Sequence, residues 1–241
     1  MSQQKLLIAE WRKLIMANYE TDPGILKKYL PAGTELDEWE NKYYTSLVGF
    51  MVLKTRLYGF RIPFHSNFPE VNLRFYVRYR SGKEWKRGVV FINEFVPKHA
   101  ITFVANKLYK ERFATCSMKH KYEIDNKLKV GYYWKKDHKW NKLEVTADPN
   151  FCELKQGSKE EFIIERYWGY SSIDKNKTEE FRVEHPQWNI YPIEQYTIDC
   201  NFKTLYGNDF GHLDRTAPAS VFLADGSPAA IFTKKILSVV S

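Results

Sequence analysis

Cysteine is scarce in this chain. Cys116, Cys152 and Cys200 are odd in number, far apart and without a C-x-x-C pair, which excludes a disulfide-stapled framework and a paired-thiolate zinc or redox site. Long apolar runs are also missing. The longest uncharged stretches, such as residues 217–224, are far too short to cross a bilayer, and the few apolar residues between Lys5 and Glu10 are too few for a signal peptide. These absences point to a cytoplasmic chain with no membrane partner. No repeat, low-complexity segment or Gly/Ser linker divides the sequence, so residues 1–241 read as a single domain. Phosphate loops, dinucleotide fingerprints and nucleophile elbows have no counterpart here. The six histidines (His65, His99, His120, His138, His185, His212) show no ligand spacing, so neither a metal nor a cofactor is expected.

Aromatic residues are abundant instead: 16 Phe, 16 Tyr and 7 Trp. These side chains favour half-buried, pleated surfaces and predict a mainly β fold. Residues 71–80 alternate strictly, with Val71, Leu73, Phe75, Val77 and Tyr79 on one face and Asn72, Arg74, Tyr76, Arg78 and Arg80 on the other. Strands are also expected over residues 43–53, 89–95, 180–184 and 191–199, with a β-meander over 119–147. Residues 6–16 fit either helical spacing or an entering strand, and residues 59–69 read as a long aromatic loop. Asp22-Pro23 is an N-cap followed by a proline in the first turn, which predicts a short helix ended by Pro31 and Gly33. A second helix is expected from Pro97, buried through Ile101, Val104, Ala105 and Leu108, and Ser158 with Glu161 forms a possible capping box. Asp225-Gly226, flanked by the apolar runs 220–224 and 229–234, reads as a tight hairpin.

Three clusters carry chemistry. If the strand begins at Pro69, then Glu70, Asn72 and Arg74 share a face, and a carboxylate, an amide and a guanidinium aimed into a cavity make an anion-binding, proton-shuttling corner. The same residues also fit a solvated strand face. Lys110-Glu111-Arg112 follows the second expected helix; a desolvated lysine beside another cation can form a Schiff base, and a solvated helix end is the plainer alternative. The chain carries a net charge of +8. Eight lysines from Lys119 to Lys142 face only three acids in that stretch. With Tyr122, Tyr132, Tyr133, Trp134 and Trp140 interleaved, this block suits phosphate contacts and base stacking, but lysines on a solvated sheet face explain it better. Glu165-Arg166 and His185 with Trp188 are assigned structural roles.

Several segments together resemble one family. They are Asp22-Pro23; Leu30-Pro31-Ala32-Gly33-Thr34-Glu35-Leu36; Phe68-Pro69-Glu70-Val71-Asn72-Leu73-Arg74-Phe75-Tyr76-Val77; Glu165-Arg166-Tyr167; Val183-Glu184-His185-Pro186-Gln187-Trp188; and Val221-Phe222-Leu223-Ala224-Asp225-Gly226. In order and over nearly the whole chain, they are similar to the uncharacterised YqjF-like family, itself similar to the acetoacetate decarboxylase-like superfamily. The resemblance implies an antiparallel β-barrel or cone with a few peripheral helices and an internal cavity. Decarboxylases of that superfamily use a Schiff-base lysine, a second lysine that lowers its pKa, and a glutamate on an earlier strand. Glu70 matches the context of the glutamate. Glu111 and Arg112 fall where the two lysines belong, and Lys110 lies one position early, so ordinary acetoacetate decarboxylation is not expected.

The expected function is a pocket for a small carbonyl or carboxylate compound. Glu70, Glu111, Arg112 and Lys110 are the catalytic candidates, and Arg74, Asn72 and Tyr76 the substrate-binding ones. Lyase, aldol or enolisation chemistry without the Schiff-base lysine is one form of this reading, and a non-catalytic binding barrel the other. Self-association is compatible with both, and a nucleic-acid or partner-binding module through the lysine block ranks behind them.

Overall fold

The computed structural model describes residues 4–61, 66–97 and 113–238. Seven strands come first: β1 (Lys5–Glu20), β2 (Thr34–Leu36), β3 (Tyr44–Leu57), β4 (Phe60–Arg61), β5 (Phe68–Ser81), β6 (Glu84–Val96) and β7 (Phe113–Thr115). The expected meander follows as β8 (Met118–Ile124), β9 (Leu128–Lys136) and β10 (Lys139–Ala147). The rest are β11 (Trp168–Asp174), β12 (Lys177–Glu184), β13 (Ile190–Tyr191), β14 (Ile193–Asp199), β15 (Ser220–Phe232) and β16 (Lys235–Ser238). The short helices α1 (Pro23–Lys27), α2 (Lys159–Ile164) and α3 (Phe202–Tyr206) lie between them. Among the described residues, no helix is long and apolar enough to cross a membrane.

Strands β15, β1, β3, β5, β6, β11 and β12 form neighbouring pairs in that order, and β12 pairs back onto β15, so the large sheet closes into a ring. Two seams do the closing. β12 meets β15 through Val183↔Ile231 and Glu184↔Ala230, and β11 meets β6 in parallel through Trp168↔Gly88 and Gly169↔Val89. Past that second seam β6 and β11 diverge, leaving a cleft of about 240 Å³ between Phe91, Glu94, Tyr170 and Ser171. The smaller sheet runs in the order β14-β10-β9-β8.

The alternation of β5 decides where the core lies. Val71, Leu73, Phe75 and Val77 are fully buried against Leu128, Val130, Tyr132 and Trp134 of β9 and Leu143 and Val145 of β10. Burying each such side chain stabilises the fold by roughly 2 kcal/mol. The opposite face is not solvated. Tyr76 and Phe68 pack there with Met16, Val48, Phe162, Ile163 and Trp188, so the large sheet is covered on both sides.

Local chemistry accounts for the helices. The Asp22 side chain accepts from Gly24 N at 2.7 Å, with Pro23 in the first turn. Ser158 caps α2 by accepting from Glu161 N, while Glu161 reaches back to Gly157 N rather than to the cap itself. Residues 6–16 are strand throughout, part of β1. The expected 191–199 strand is two, β13 in the large sheet and β14 in the small one, parted by Pro192, which has no N–H for a ladder. The expected 59–69 loop begins instead as a short return strand, with Leu57 paired to Phe60. The second expected helix falls outside the described residues.

Asp225-Gly226 is not a hairpin turn. It lies inside the single strand β15, which pairs with β1 from Lys5↔Phe232 to Asn18↔Ser220. Gly226 has φ 80° and Lys13, on the facing strand, φ 54°, so the two long strands bend together. A Cβ at Gly226 would sit 2.0 Å from the Trp11 carbonyl oxygen. Asp225 accepts from Lys13 Nζ and from the Tyr191 hydroxyl at 2.6 and 2.8 Å. A local turn signal has been overridden by an extended partner strand.

At the β6–β11 seam a Cβ on Gly88 would lie 2.5 Å from the Trp168 carbonyl oxygen, which is backbone and cannot step aside. Gly88→Ala is therefore expected to destabilise the protein by about 1–3 kcal/mol, read as a lower midpoint in urea denaturation, whereas Lys83→Ala on the exposed turn leaves the midpoint unchanged.

Candidate functional site

The second face of β5 carries a polar strip across an otherwise apolar surface. Register sets its order: Ser220 of β15 is opposite Asn18 of β1, Asn18 opposite Ser46 of β3, and Ser46 opposite Arg74 of β5. The Tyr76 hydroxyl donates to Ser46 Oγ at 2.6 Å, Ser46 donates to Asn18 Oδ1 at 2.5 Å, and Asn18 Nδ2 donates to Ser220 Oγ at 3.1 Å. One pair further along β5, Asn72 is opposite Val48 on one side and the buried Glu94 of β6 on the other. Asn72 Nδ2 donates to Glu70 Oε1 at 3.1 Å.

Glu70, Asn72, Arg74 and Tyr76 thus share one face, as their parity predicts. Asn72 and Tyr76 are each 1 % exposed, while Glu70 and Arg74 are half-buried. Two buried polar atoms in this group lack a hydrogen-bond partner among the described residues: Asn72 Oδ1 and Arg74 Nε. Lys110, Glu111 and Arg112 lie outside the described residues. Phe113, which follows them, begins β7 directly opposite Glu94.

A buried ion cluster borders the strip. Arg166, just past α2, is stacked over the rings of Phe162 and Tyr76, 4.1 and 4.9 Å from their centroids. It donates to Asp37, which also accepts from Arg87 Nε at 2.8 Å. The partner of Arg166 is therefore Asp37, 129 positions away, while Glu165 accepts from the Tyr167 hydroxyl. Burial raises the Asp37 pKa, but the hydrogen bond from Arg87 and the charge of Arg166 outweigh it, and the carboxyl titrates below its usual range. Burial pulls Arg166 down to about 10, so it stays charged at neutral pH. The charges of the cluster meet one another, although Nε and Nη2 of Arg166 have no hydrogen-bond partner among the described residues.

His185 lies between the rings of Trp188 and Tyr167, stacked at 4.3 and 4.8 Å. Trp188 is anchored by its Nε1, which donates to Ser227 Oγ at 2.7 Å. Burial chiefly, with the positive charge of Arg74, lowers the His185 pKa against the opposing pull of the Pro186 carbonyl and Glu165. The imidazole is neutral at pH 7 and borders the same region as Arg74.

Sequence reasoning did not single out Asn18, Ser46 or Glu94. Each lies in a largely apolar stretch, but no pattern within its own strand marks it, since its partners come from other strands. The lysine block lies on β8 to β10. Its outward face pairs lysines with acids, Lys121 with Glu123 at 3.2 Å and Lys142 with Glu144 at 3.3 Å, and stacks Lys119 over Trp140. No group of three metal-ligating side chains comes together among the described residues.

A mainly β sheet closed on itself, with short helices at its margins, defines the acetoacetate decarboxylase-like fold. Acetoacetate decarboxylase from Legionella pneumophila aligns over 97% of this chain and 87% of its own, with a TM-score of 0.66 and 14% identity. The enduracididine biosynthesis enzyme MppR, in a structure described as complexed with pyruvate, covers 100% of this chain and 93% of its own, with a TM-score of 0.68 and 12% identity. Within that class the chain belongs to the DUF2071 family of uncharacterized conserved proteins, whose profile matches residues 8–228. Over 84 residues it is 33% identical to the uncharacterized protein YqjF of Bacillus subtilis, a stretch that is 34% of this chain and 33% of that relative. The match therefore spans about a third of the relative's length.

Removing Asp37 would strand a buried guanidinium. Asp37→Asn is expected to cost about 3–5 kcal/mol in chemical denaturation. Because the folded-state pKa of Asp37 is depressed, the stability it supplies is present above the ordinary carboxylate range and is lost as pH falls through the lowered value. The difference between parent and variant should accordingly shrink in acid. For His185, also depressed, NMR titration of the imidazole is expected to show a midpoint below that of a free histidine. A midpoint at or above the free value would contradict the burial of this ring.

Proposed function

We propose that this protein, a single domain over residues 1–241, binds a small organic acid bearing a carbonyl group along the Glu70–Arg74 strip. One observation carries the reading: Asn72 Oδ1 and Arg74 Nε are shut away from water with no partner among the described residues. A buried polar atom left unpaired costs about 1–3 kcal/mol. A ligand carboxylate accepting from Arg74 and a hydroxyl or enol donating to Asn72 would recover that loss. The pyruvate complex reported for a structural neighbour supports the same ligand class.

Glu70 is the acid/base group. Its carboxylate, oriented by Asn72 Nδ2, takes a proton from the carbon next to the carbonyl, the C–H electron pair forms the C=C bond, the C=O π pair moves onto oxygen, and Arg74 balances the enolate charge. Tyr76 serves as a wall, since its hydroxyl is already committed to Ser46. Glu111, Arg112 and Lys110 remain candidates on their residue types and the family resemblance. The lysine block is assigned to a solvated sheet face rather than to nucleic acid.

The test is calorimetry with pyruvate and acetoacetate, paired with NMR of deuterium exchange next to the carbonyl in D2O. Arg74→Gln is expected to weaken binding by roughly 10- to 100-fold, the size of a lost charged hydrogen bond. Glu70→Gln is expected to keep binding and lose exchange. Unaltered affinity in Arg74→Gln would refute the site. Binding without exchange in the parent protein would leave a non-catalytic binding barrel.

A further inference from the structure

Strand β8 is the outer strand of the small sheet, and among the described residues nothing pairs with its free edge. From Lys119 onward all its residues are exposed, including Tyr122 at 50 % and Ile124 at 59 %. An open, partly apolar strand edge is a template for another strand. We propose that this edge pairs antiparallel with β8 of a second copy of the chain, about a two-fold axis at Tyr122.

The backbone fixes which groups point outward. Lys135 N donates to the Ser117 carbonyl at 2.9 Å and Asp125 N to the Lys127 carbonyl at 3.1 Å. In the β8–β9 register, Lys119↔Tyr133, Lys121↔Gly131 and Glu123↔Lys129 lie between those two pairs. Hydrogen-bonded pairs recur at every second residue in an antiparallel ladder. The backbone groups of the odd-numbered residues therefore face β9, and the N–H and C=O groups of His120, Tyr122 and Ile124, unpaired among the described residues, line the outer edge.

Charge then selects the register. Centred on Tyr122, the pairing sets Lys121 of one copy opposite Glu123 of the other, and Lys119 opposite Asp125, each contact occurring twice. Tyr122 faces its own copy as a hydrogen-bonded pair, and His120 faces Ile124. Moving the axis to Lys121 would set Lys121 against itself, and moving it to Glu123 would set two carboxylates together; like charges directly opposite destabilise a sheet. Lys121 and Glu123 already touch at 3.2 Å within one strand, both well exposed. Such a contact is worth about 0–1 kcal/mol and is easily exchanged for the one across the axis. The two small sheets would then continue into one.

A strand pair alone makes a small interface, so the expected dimer is weak and concentration-dependent. Sedimentation velocity on the full chain, run from micromolar to hundred-micromolar concentrations, reads it directly. The parent is expected to shift toward dimer with concentration, and Glu123→Lys to weaken association at least tenfold by opposing it with Lys121. The double variant Lys121→Glu, Glu123→Lys swaps the charges within each copy and is expected to restore the dimer. Both positions are solvent-exposed, so unchanged circular dichroism and melting are expected throughout. A parent that stays monomeric, a dimer indifferent to Glu123→Lys, or a double variant that fails to recover would overturn the proposal.

Discussion

At Gly88 two backbones approach more closely than a side chain would allow, and at the adjoining Gly169 an aromatic ring takes the place of a side chain; the ring of strands closes there. A Cβ on Gly169 would lie 2.0 Å from the Phe181 ring, and one on Gly88 would meet the Trp168 carbonyl. The seam is only two residue pairs long and parallel, in a sheet whose other pairings in the ring are antiparallel. It nevertheless holds β11 against β6 and so sets where Arg166, two residues before β11, comes to rest. Because the seam is short, β6 and β11 separate beyond it, and the resulting cleft runs beside Glu94.

Closure also explains why a buried charge cluster is tolerated. Arg166, Asp37 and Arg87 come from segments far apart in the chain, and their charges neutralise one another where β2, β6 and α2 converge. Desolvating a guanidinium is costly unless it is paired and packed. Arg166 has both, a carboxylate and two aromatic faces. Farther along β5, Arg74 Nε and Asn72 Oδ1 lack hydrogen-bond partners among the described residues, as do Nε and Nη2 of Arg166 itself. What differs is the charge: Arg166 has the Asp37 carboxylate against it, whereas Arg74 Nη2 lies against the Met16 sulfur.

The candidate site was legible in part. Alternation along residues 71–80 places Asn72, Arg74 and Tyr76 together, because a strand sends every second side chain to one face. It left open whether that face met solvent or a cavity. The answer came from Met16, Val48, Phe162 and Trp188, residues on other elements that no pattern within β5 could announce. Asn18, Ser46 and Glu94 went unnoticed for the same reason: only strand register lines Asn18 up with Ser46, Ser46 with Arg74 and Glu94 with Asn72.

By itself the sequence determined the β-rich class through its aromatic and alternating composition, the start of α1 through Asp22-Pro23, the cap of α2 through Ser158, and the meander of β8 to β10. These features depend on a residue and its near neighbours. Tertiary structure alone decided that Asp225-Gly226 bends a continuous strand, that residues 191–199 split between two sheets at Pro192, and that Arg166 pairs with Asp37. Each of those outcomes depends on a partner distant in the chain, whose contacts outweigh the local preference of the segment it meets.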